Sequence, residues 1–216
     1  MPGSPQRFAA AERHALADLL LRVGPEAPTL CEGWTTRDLA AHLVLRASRA
    51  DAVGGIVIPA VRPWLNRVQQ SIAARPWEAL VAQVRRRPFW AVGGLDERAN
   101  LVEYLVHHED IRRAQPDWAP RDLARDAAHA LWPGVKMRVR LALRRTPAHV
   151  AVSGPGQPST ITGGRRSLPA QAPAVQLSGE SQELLLFLYG RQAHAHVSLS
   201  GPEEITGRMK TARYGV

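Results

Sequence analysis

Residues 31–43 read CEGWTTRDLAAHL, and this stretch decides how the first half of the chain folds. Thr35 is a preferred helix N-cap residue, and Asp38, three positions later, completes a capping-box pattern. A helix that begins here carries Leu39 and His42 on one face, because residues three and four apart are neighbours on a helix. The stretch therefore predicts a helix with a histidine on its apolar side.

A second stretch, residues 103–110, reads EYLVHHED and belongs to another predicted helix. Glu103 and His107 are four residues apart, so their side chains point the same way. Leucine and isoleucine residues on the same helix indicate that it is partly buried, where a carboxylate is costly unless it is paired or bound to metal. With a histidine from a facing helix, the pair would form an N,N,O metal site that keeps an open position, as in catalytic zinc centres.

Two neighbours of this pair bear on the same hypothesis. Asp110 lies one turn beyond His107 and is a candidate to accept a hydrogen bond from its imidazole. His108 is the competing ligand and lies about 100° around the helix from His107. A reading without metal is also open, because core histidines satisfied by hydrogen bonds and Glu–His pairs on solvated helices are both common.

Helical periodicity covers most of the first 146 residues. The last of the predicted helices is interrupted or kinked at Pro133, because proline breaks the helical hydrogen-bond pattern. The predicted helices span 7–22, 35–54, 64–74, 76–87, 97–115 and 121–145. Four main helices joined by loops indicate an antiparallel four-helix bundle over residues 1–146.

The pattern changes after Pro147. Apolar and polar side chains alternate in His149–Ser153, and glycine, proline, serine and threonine then dominate, as in a hairpin with loops. Ala174–Leu177 is a strand candidate, residues 184–189 a short helix, and His194–Leu199 a final strand. Residues 147–216 are therefore predicted to form a small α+β domain.

Composition limits the class of protein. Over 216 residues, 45% are hydrophobic and 22% are charged, which is ordinary for a globular protein. The longest apolar run, around Leu184–Leu188, is far below the roughly 18 residues of a membrane span. The first residues lack the apolar core of a signal peptide, and a single cysteine excludes a disulfide framework. We expect a soluble, cytoplasmic protein, a monomer or homodimer, without a membrane partner.

The net charge of +9 comes almost entirely from arginine. Nine basic and three acidic side chains lie in residues 112–146, a local balance of +6. A basic face attracts nucleic acid or small anions. The sequence shows no zinc finger, RNA-binding signature or interleaved aromatics beside it, so nucleic acid is the least favoured partner.

The two motifs, taken together, resemble a known family. Residues 31–43 look like the signature that opens the second helix of actinobacterial DinB-like proteins and, more narrowly, of the mycothiol-dependent maleylpyruvate isomerase family. Residues 103–110 are similar to the second motif of that family. Residues 179–191, GESQELLLFLYGR, resemble its small C-terminal domain. The resemblance spans nearly the whole chain.

This resemblance implies a DinB-like bundle with a divalent metal in its core. The ligands it implies are His42, Glu103 and His107, with Asp110 orienting the second imidazole. Zn²⁺ is the first candidate, although N,N,O ligation discriminates poorly among first-row ions. In the family the metal is thought to activate mycothiol, a low-molecular-weight thiol, as a thiolate. Arg191 resembles a functional arginine that would bind an anionic substrate; a helix cap or surface arginine is the alternative.

The leading hypothesis is therefore a metal- and mycothiol-dependent transferase or isomerase. A metal-binding protein without catalysis, in which the ion stabilises the bundle or is sensed, is the alternative. Nucleic-acid binding through the arginine-rich stretch is the third reading. Metal removal separates the first two, because a structural site unfolds the protein and an open catalytic site loses activity first.

The remaining candidates have two readings each. Cys31 precedes a helix, where the helix N-terminus favours a reactive thiolate, or it is a small buried packing residue. His194 and His196 alternate on a predicted strand and would face the same side, but no third ligand accompanies them. Arg112 and Arg113 follow the metal helix, either as anion-binding groups or as solvated side chains.

Overall fold

The computed structural model describes residues 8–48, 62–90, 95–157, 161–165 and 167–214. These residues form eight α-helices and one four-stranded sheet, so the fold is mainly helical, as predicted. The chain divides into two compact units, Met1–Ala119 and Pro120–Val216. None of the described helices combines the length and apolar character that crossing a membrane requires.

The regular elements described for the first unit are all helices. They are α1 (Phe8–Val23), α2 (Thr36–Ser48), α3 (Arg62–Ala73), α4 (Trp77–Arg85) and α5 (Leu95–Arg112). Helix α1 packs against α5 and α4, and α2 packs against α3 and α4. Their fully buried leucine and isoleucine side chains form the core, among them Leu16, Leu20, Leu39, Leu80, Leu105 and Ile111.

Helix α2 begins where the capping pattern predicts. The Asp38 carboxylate accepts hydrogen bonds from the backbone N–H and the hydroxyl of Thr35, at 3.0 and 2.9 Å. The bond from the Thr35 backbone N–H satisfies a donor that the start of a helix otherwise leaves unpaired. The preceding chain turns at Gly33, whose φ of +76° favours glycine. The predicted end of this helix, near Gly54, lies outside the described residues.

The second unit combines a sheet with three α-helices. Its elements are α6 (Arg125–Ala142), β1 (His149–Ser153), β2 (Ile161–Gly163), β3 (Ala174–Ser178), α7 (Ser181–Leu188), a 3₁₀ turn (Gln192–His194), β4 (Ser198–Ser200) and α8 (Glu203–Thr211). The sheet order is β2-β1-β3-β4, with β1 and β3 parallel and the outer pairs antiparallel. Alternate side chains of β1 and β3 are buried, as the alternation in sequence predicts.

The boundary between the units lies at Ala119 and Pro120, earlier than the predicted boundary after residue 146. Helix α6, expected as the last bundle helix, packs against α7 and β2 instead. The approach is close, because a Cβ built on Gly163 would lie 2.8 Å from Val139 of α6. Helix α6 also continues through Pro133, so the predicted interruption is absent, while the kink given as its alternative stays a prediction.

The C-terminal elements also differ from the sequence prediction. The chain from His194 to Leu199 is not one strand: a 3₁₀ turn ends at His194, and the strand begins only at Ser198. Between them, the backbone N–H of His196 donates to Glu183 of α7 at 2.8 Å, which replaces a strand hydrogen bond. Helix α8 was not predicted, although two glutamates in its first turn and basic residues in its last are typical of a helix.

Candidate metal centre

The three predicted ligands come together between α2 and α5. The Nε2 atom of His42 lies 3.3 Å from Oε1 of Glu103, and Nε2 of His107 lies 3.3 Å from the same oxygen. All three ligand atoms lie within 4.8 Å of one another. Tetrahedral zinc with bonds near 2.05 Å separates its ligand atoms by about 3.3 Å. The two separations from the Glu103 oxygen therefore match the edge length of a zinc coordination tetrahedron.

Local helix geometry explains half of this cluster. Glu103 and His107 occupy successive turns of α5, so they are adjacent before any tertiary contact forms. His42 is brought to them from α2, and its ring lies 5.4 Å, centroid to centroid, from that of His107. The side chains of His42, Glu103 and His107 remain 17%, 22% and 13% exposed. The cluster is thus enclosed by protein but reachable from solvent.

Asp110 fixes the orientation of the His107 ring. Its Oδ2 atom lies 3.0 Å from Nδ1 of His107, and Asp110 itself is fully buried. Because an ionised carboxylate only accepts hydrogen bonds, Nδ1 carries the hydrogen in this contact. In the neutral ring, the lone pair then lies on Nε2, which faces Glu103. This is the carboxylate–histidine arrangement predicted from the sequence.

Cys31 contacts the same oxygen of Asp110 that the His107 ring contacts. Its Sγ atom donates to Oδ2 of Asp110 at 3.2 Å and lies 4.0 Å from Nδ1 of His107. The loop is held there because the backbone N–H of Leu30 donates to the Asp110 carbonyl at 2.9 Å. Cys31, His107 and Asp110 form a second group whose spacing could hold a metal ion. Cys31 is therefore more than a packing residue, because its sulfur contacts the polar groups beside the cluster.

Arg46 is a member of the cluster that the sequence reasoning missed. Its Nε atom lies 3.3 Å from Oε1 of Glu103, and its Nη1 atom donates to the side-chain oxygen of Asn100. The available signal was its position one turn after His42 on the same helix. Arg46 adds a permanent positive charge beside the carboxylate.

The electrostatics of the cluster favour positive charge at its centre. Burial alone would raise the pKa of Glu103, but hydrogen bonds from His107 and His42, with the charges of His107 and Arg46, hold it well below its usual value. Burial alone would lower the pKa of His107, yet its hydrogen bonds with Asp110, Cys31 and Glu103 and the Glu103 charge raise it well above normal. Because a ligating imidazole nitrogen must be deprotonated, a metal ion that binds His107 has to displace this proton.

The competing ligand, His108, points elsewhere. Its Nδ1 atom lies 2.7 Å from the carboxylate of Glu12 on α1, and the residue is buried. The two adjacent histidines therefore serve different partners, His107 facing α2 and His108 facing α1. Among the described residues, His108 belongs to neither group with metal-ligand spacing.

Other predicted residues lie in the second unit or in structural ion pairs. The Arg191 guanidinium donates to the Tyr189 carbonyl at 2.6 Å, just beyond the end of α7. Its role as an anion anchor stays a prediction. Arg113 is fully buried and donates to Glu109 at 2.6 Å, so it is not a solvated arginine. Arg112 donates to the same carboxylate at 2.9 Å.

These contacts also divide the basic stretch. Residues 112–119 belong to the first unit and residues 120–146 to the second. In the second unit, Arg138 is buried, and its Nε atom donates to the Leu188 carbonyl at 3.0 Å. The local excess of positive charge in the sequence is therefore not a continuous array of solvent-facing arginines. His194 and His196 likewise join no group with metal-ligand spacing among the described residues.

Comparisons with known proteins identified no relative. A scan against protein-family models, a search of curated proteins and a search of solved structures each gave no match. The geometry of the cluster and the resemblance of the two motifs are therefore the grounds on which a function can be proposed.

Proposed function

We propose that this protein binds one divalent metal ion through Nε2 of His42, a carboxylate oxygen of Glu103 and Nε2 of His107, and that it is a metal-dependent enzyme. The observation that carries the proposal is the pair of 3.3 Å separations from the Glu103 oxygen to the two imidazole nitrogens. Two nitrogens and one oxygen fit zinc and other borderline first-row ions, and metal identity is left open by this donor set.

The donor set supports catalysis because three protein ligands leave a coordination position open. A bound metal there would lower the pKa of a coordinated water or thiol and so supply a nucleophile at neutral pH. Asp110 holds the His107 ring so that Nε2 faces the cluster. Trp34 lies beside His42, with ring centroids 5.2 Å apart, and forms an aromatic wall next to the site.

We further propose a thiol-dependent transferase or isomerase of the DinB-like type, with mycothiol as the candidate thiol. The support is the resemblance of residues 31–43 and 103–110 to the family motifs. Arg46 adds to it, because a guanidinium beside the ligand carboxylate can pair with the carboxylate of an anionic substrate. Arg191 remains the second candidate for that role.

A non-catalytic metal site is the alternative, and one observation favours it. His42 belongs to α2, whereas Glu103 and His107 belong to α5, so a metal would join two helices of the first unit. The two functions differ under chelation. A structural ion would lower the thermal unfolding temperature markedly when it is removed, whereas a catalytic ion would leave folding largely intact.

Elemental analysis of the untagged protein tests the metal proposal. We expect about one metal ion per chain in the wild type and its loss in His42→Ala and Glu103→Gln. His14→Ala is the matched control, because His14 is exposed on α1 of the same unit. Unchanged metal content in folded His42→Ala protein would refute the ligand assignment.

Cobalt substitution tests the thiol proposal separately. The Cys31→Ser variant is loaded with Co²⁺, so that no protein thiol contributes to the spectrum, and mycothiol or glutathione is added. Binding of the added thiol to cobalt should produce a sulfur-to-cobalt charge-transfer band, and His42→Ala in the same background should lose it. If cobalt binds but no band forms with either thiol, the thiol proposal fails while the metal proposal stands.

A further inference from the structure

His107 stands between two different sets of donor atoms. Its Nε2 atom faces His42 and Glu103, whereas its Nδ1 atom lies 3.0 Å from Asp110 and 4.0 Å from Sγ of Cys31. The second set offers sulfur, nitrogen and oxygen, and each of its three residues supplies one ligand atom. A thiolate ligand favours soft ions, a preference that the N,N,O set lacks.

We propose that Cys31, Nδ1 of His107 and Asp110 form a second metal position, specific for thiophilic ions such as Cd²⁺, and that it competes with the first position for His107. This inference goes beyond the proposed function. The second position uses neither His42 nor Glu103, so it can exist even if the first position fails.

The distances in the second group are close to those a metal requires. Tetrahedral bonds of about 2.3 Å to sulfur and 2.05 Å to nitrogen or oxygen separate the sulfur from each lighter ligand by about 3.6 Å, and nitrogen from oxygen by about 3.3 Å. The structure has Sγ to Nδ1 at 4.0 Å, Sγ to Oδ2 at 3.2 Å and Nδ1 to Oδ2 at 3.0 Å. For an ion of the size of zinc, shifts of less than about half an ångström reconcile the two sets, and the longer bonds of Cd²⁺ require the three side chains to move somewhat further apart.

Metal binding at the second position exchanges protons for the ion. The thiol of Cys31 loses the proton that it donates to Asp110, and His107 loses the proton on Nδ1. Both protons pass to solvent, and the freed sulfur, nitrogen and carboxylate lone pairs bind the ion. Asp110 thus changes from hydrogen-bond acceptor to metal ligand without leaving its buried place.

The competition follows from the number of lone pairs on imidazole. A neutral histidine has one nitrogen that accepts and one that carries hydrogen. When Nδ1 binds an ion, Nε2 carries the hydrogen and donates to Glu103, from which it lies 3.3 Å away. The first position then retains only His42 and Glu103. A thiophilic ion at the second position would therefore weaken zinc binding at the first.

A cadmium titration of the metal-free full-length protein tests the second position. Thiolate–cadmium bonding produces an ultraviolet charge-transfer band, which we expect in the wild type and in His42→Ala. We expect its loss in Cys31→Ser, which keeps the size of the side chain but removes the sulfur. Absence of the band in folded wild-type protein, or its loss in His42→Ala, overturns the proposal.

A displacement experiment tests the competition. Protein loaded with one equivalent of Zn²⁺ receives one equivalent of Cd²⁺, and released zinc is measured with a chromophoric indicator. We expect release from the wild type and retention by Cys31→Ser. Equal release from both proteins would mean direct replacement at the first position, and retention of both ions by the wild type would mean an imidazolate bridge; either result overturns the competition. If zinc fails to bind while the cadmium band forms, the proposed function fails and the second position stands.

Discussion

Helices α5 and α7 are both buried, but beyond the first turn of α7 their buried side chains differ in kind. Every residue of α7 is buried, and Leu184–Leu188 is an unbroken apolar run. The buried side of α5 includes His108, Glu109 and Asp110 among its leucines. The apolar run of α7 needs only a complementary surface, whereas the polar groups of α5, like Ser181, Gln182 and Glu183 in the first turn of α7, each need a specific partner.

This difference separates stability from chemistry in the molecule. Apolar burial is non-directional and contributes roughly 25 cal/mol per Å². Buried charges cost several kcal/mol each and are tolerated only with paired partners in good geometry. On α5 those partners come from elsewhere in the first unit: Glu12, His42 and the loop that carries Cys31. A helix that carries this many satisfied charges is a place where a cation site can form.

The largest loss of stability should come from a substitution in the apolar run of α7. Phe187→Ala removes a side chain that is 2% exposed, and we expect it to lower the free energy of unfolding by about 3 to 5 kcal/mol. Urea denaturation followed by circular dichroism measures the change. Leu141→Ala on α6 is the control, since Leu141 is about half exposed and should cost less than about 0.5 kcal/mol. Similar losses in the two variants would contradict an apolar core around α7.

The second largest effect concerns the buried ion pair at the C-terminal end of α5. Glu109→Gln leaves Arg113 buried without its carboxylate, and we expect a loss of about 3 kcal/mol in the same denaturation experiment. The chain offers a matched pair at the same spacing, because Glu204 and Arg208 are also four residues apart and lie 2.7 Å from each other. That pair is exposed, so Glu204→Gln should cost less than about 1 kcal/mol. Equal effects would mean that burial does not decide the strength of these pairs.

The sequence was sufficient for features that depend on local rules. The start of α2 follows from Thr35 and Asp38 alone, and the pairing of Glu103 with His107 follows from their spacing on one helix. The apolar face of its helix made His42 a candidate for the third member, and the resemblance to the family motifs placed it with this pair. The structure brings these three side chains together as predicted, while their role as metal ligands stays a proposal.

The features that escaped prediction depend on contacts between distant residues. Cys31 reaches Asp110 only because a loop hydrogen bond joins Leu30 to that residue, 80 positions away. The boundary at Pro120 depends on which surface α6 covers. The apolar periodicity of α6 would be the same whether the helix packed in a helical bundle or against a sheet. An amphipathic helix specifies that it will be buried, but not the element that buries it.

The third substitution, at Asp110, should change the affinity for metal rather than the free energy of unfolding. Asp110→Asn weakens the hydrogen bond that orients His107, and we expect zinc affinity to fall about 10- to 100-fold, measured by competition with a chelator. Cys31→Ser should leave the zinc affinity of the first position within a few-fold of the wild type, because the hydroxyl can still donate to Asp110. An unchanged affinity in Asp110→Asn would show that the carboxylate does not support the site.

The smallest effect is a pH dependence of stability in the second unit, and it comes from the phenol of Tyr214. Tyr214 is 8% exposed, and burial raises its pKa to about 12 despite a hydrogen bond with Thr146 that lowers it. The folded state therefore holds the phenol proton more firmly than the unfolded state, whose tyrosine titrates near pH 10. This contribution to stability is fully present below pH 10 and is lost as the pH rises from about 10 to 12.

At pH 11 the free energy of unfolding should be lower by about 1.4 kcal/mol, because pH 11 lies one unit above the pKa of the unfolded tyrosine and below that of the folded one. Tyr214→Phe is the matched variant, because it keeps the ring beside Phe187, 6.0 Å away between centroids, and removes the titrating group. The free energy of unfolding is measured in urea at pH 8 and pH 11 for both proteins. The wild type should lose more stability than the variant between these two pH values. Parallel losses would mean that the phenol ionises as readily in the folded protein as in the unfolded chain, and that the region around Tyr214 is more hydrated than its burial indicates.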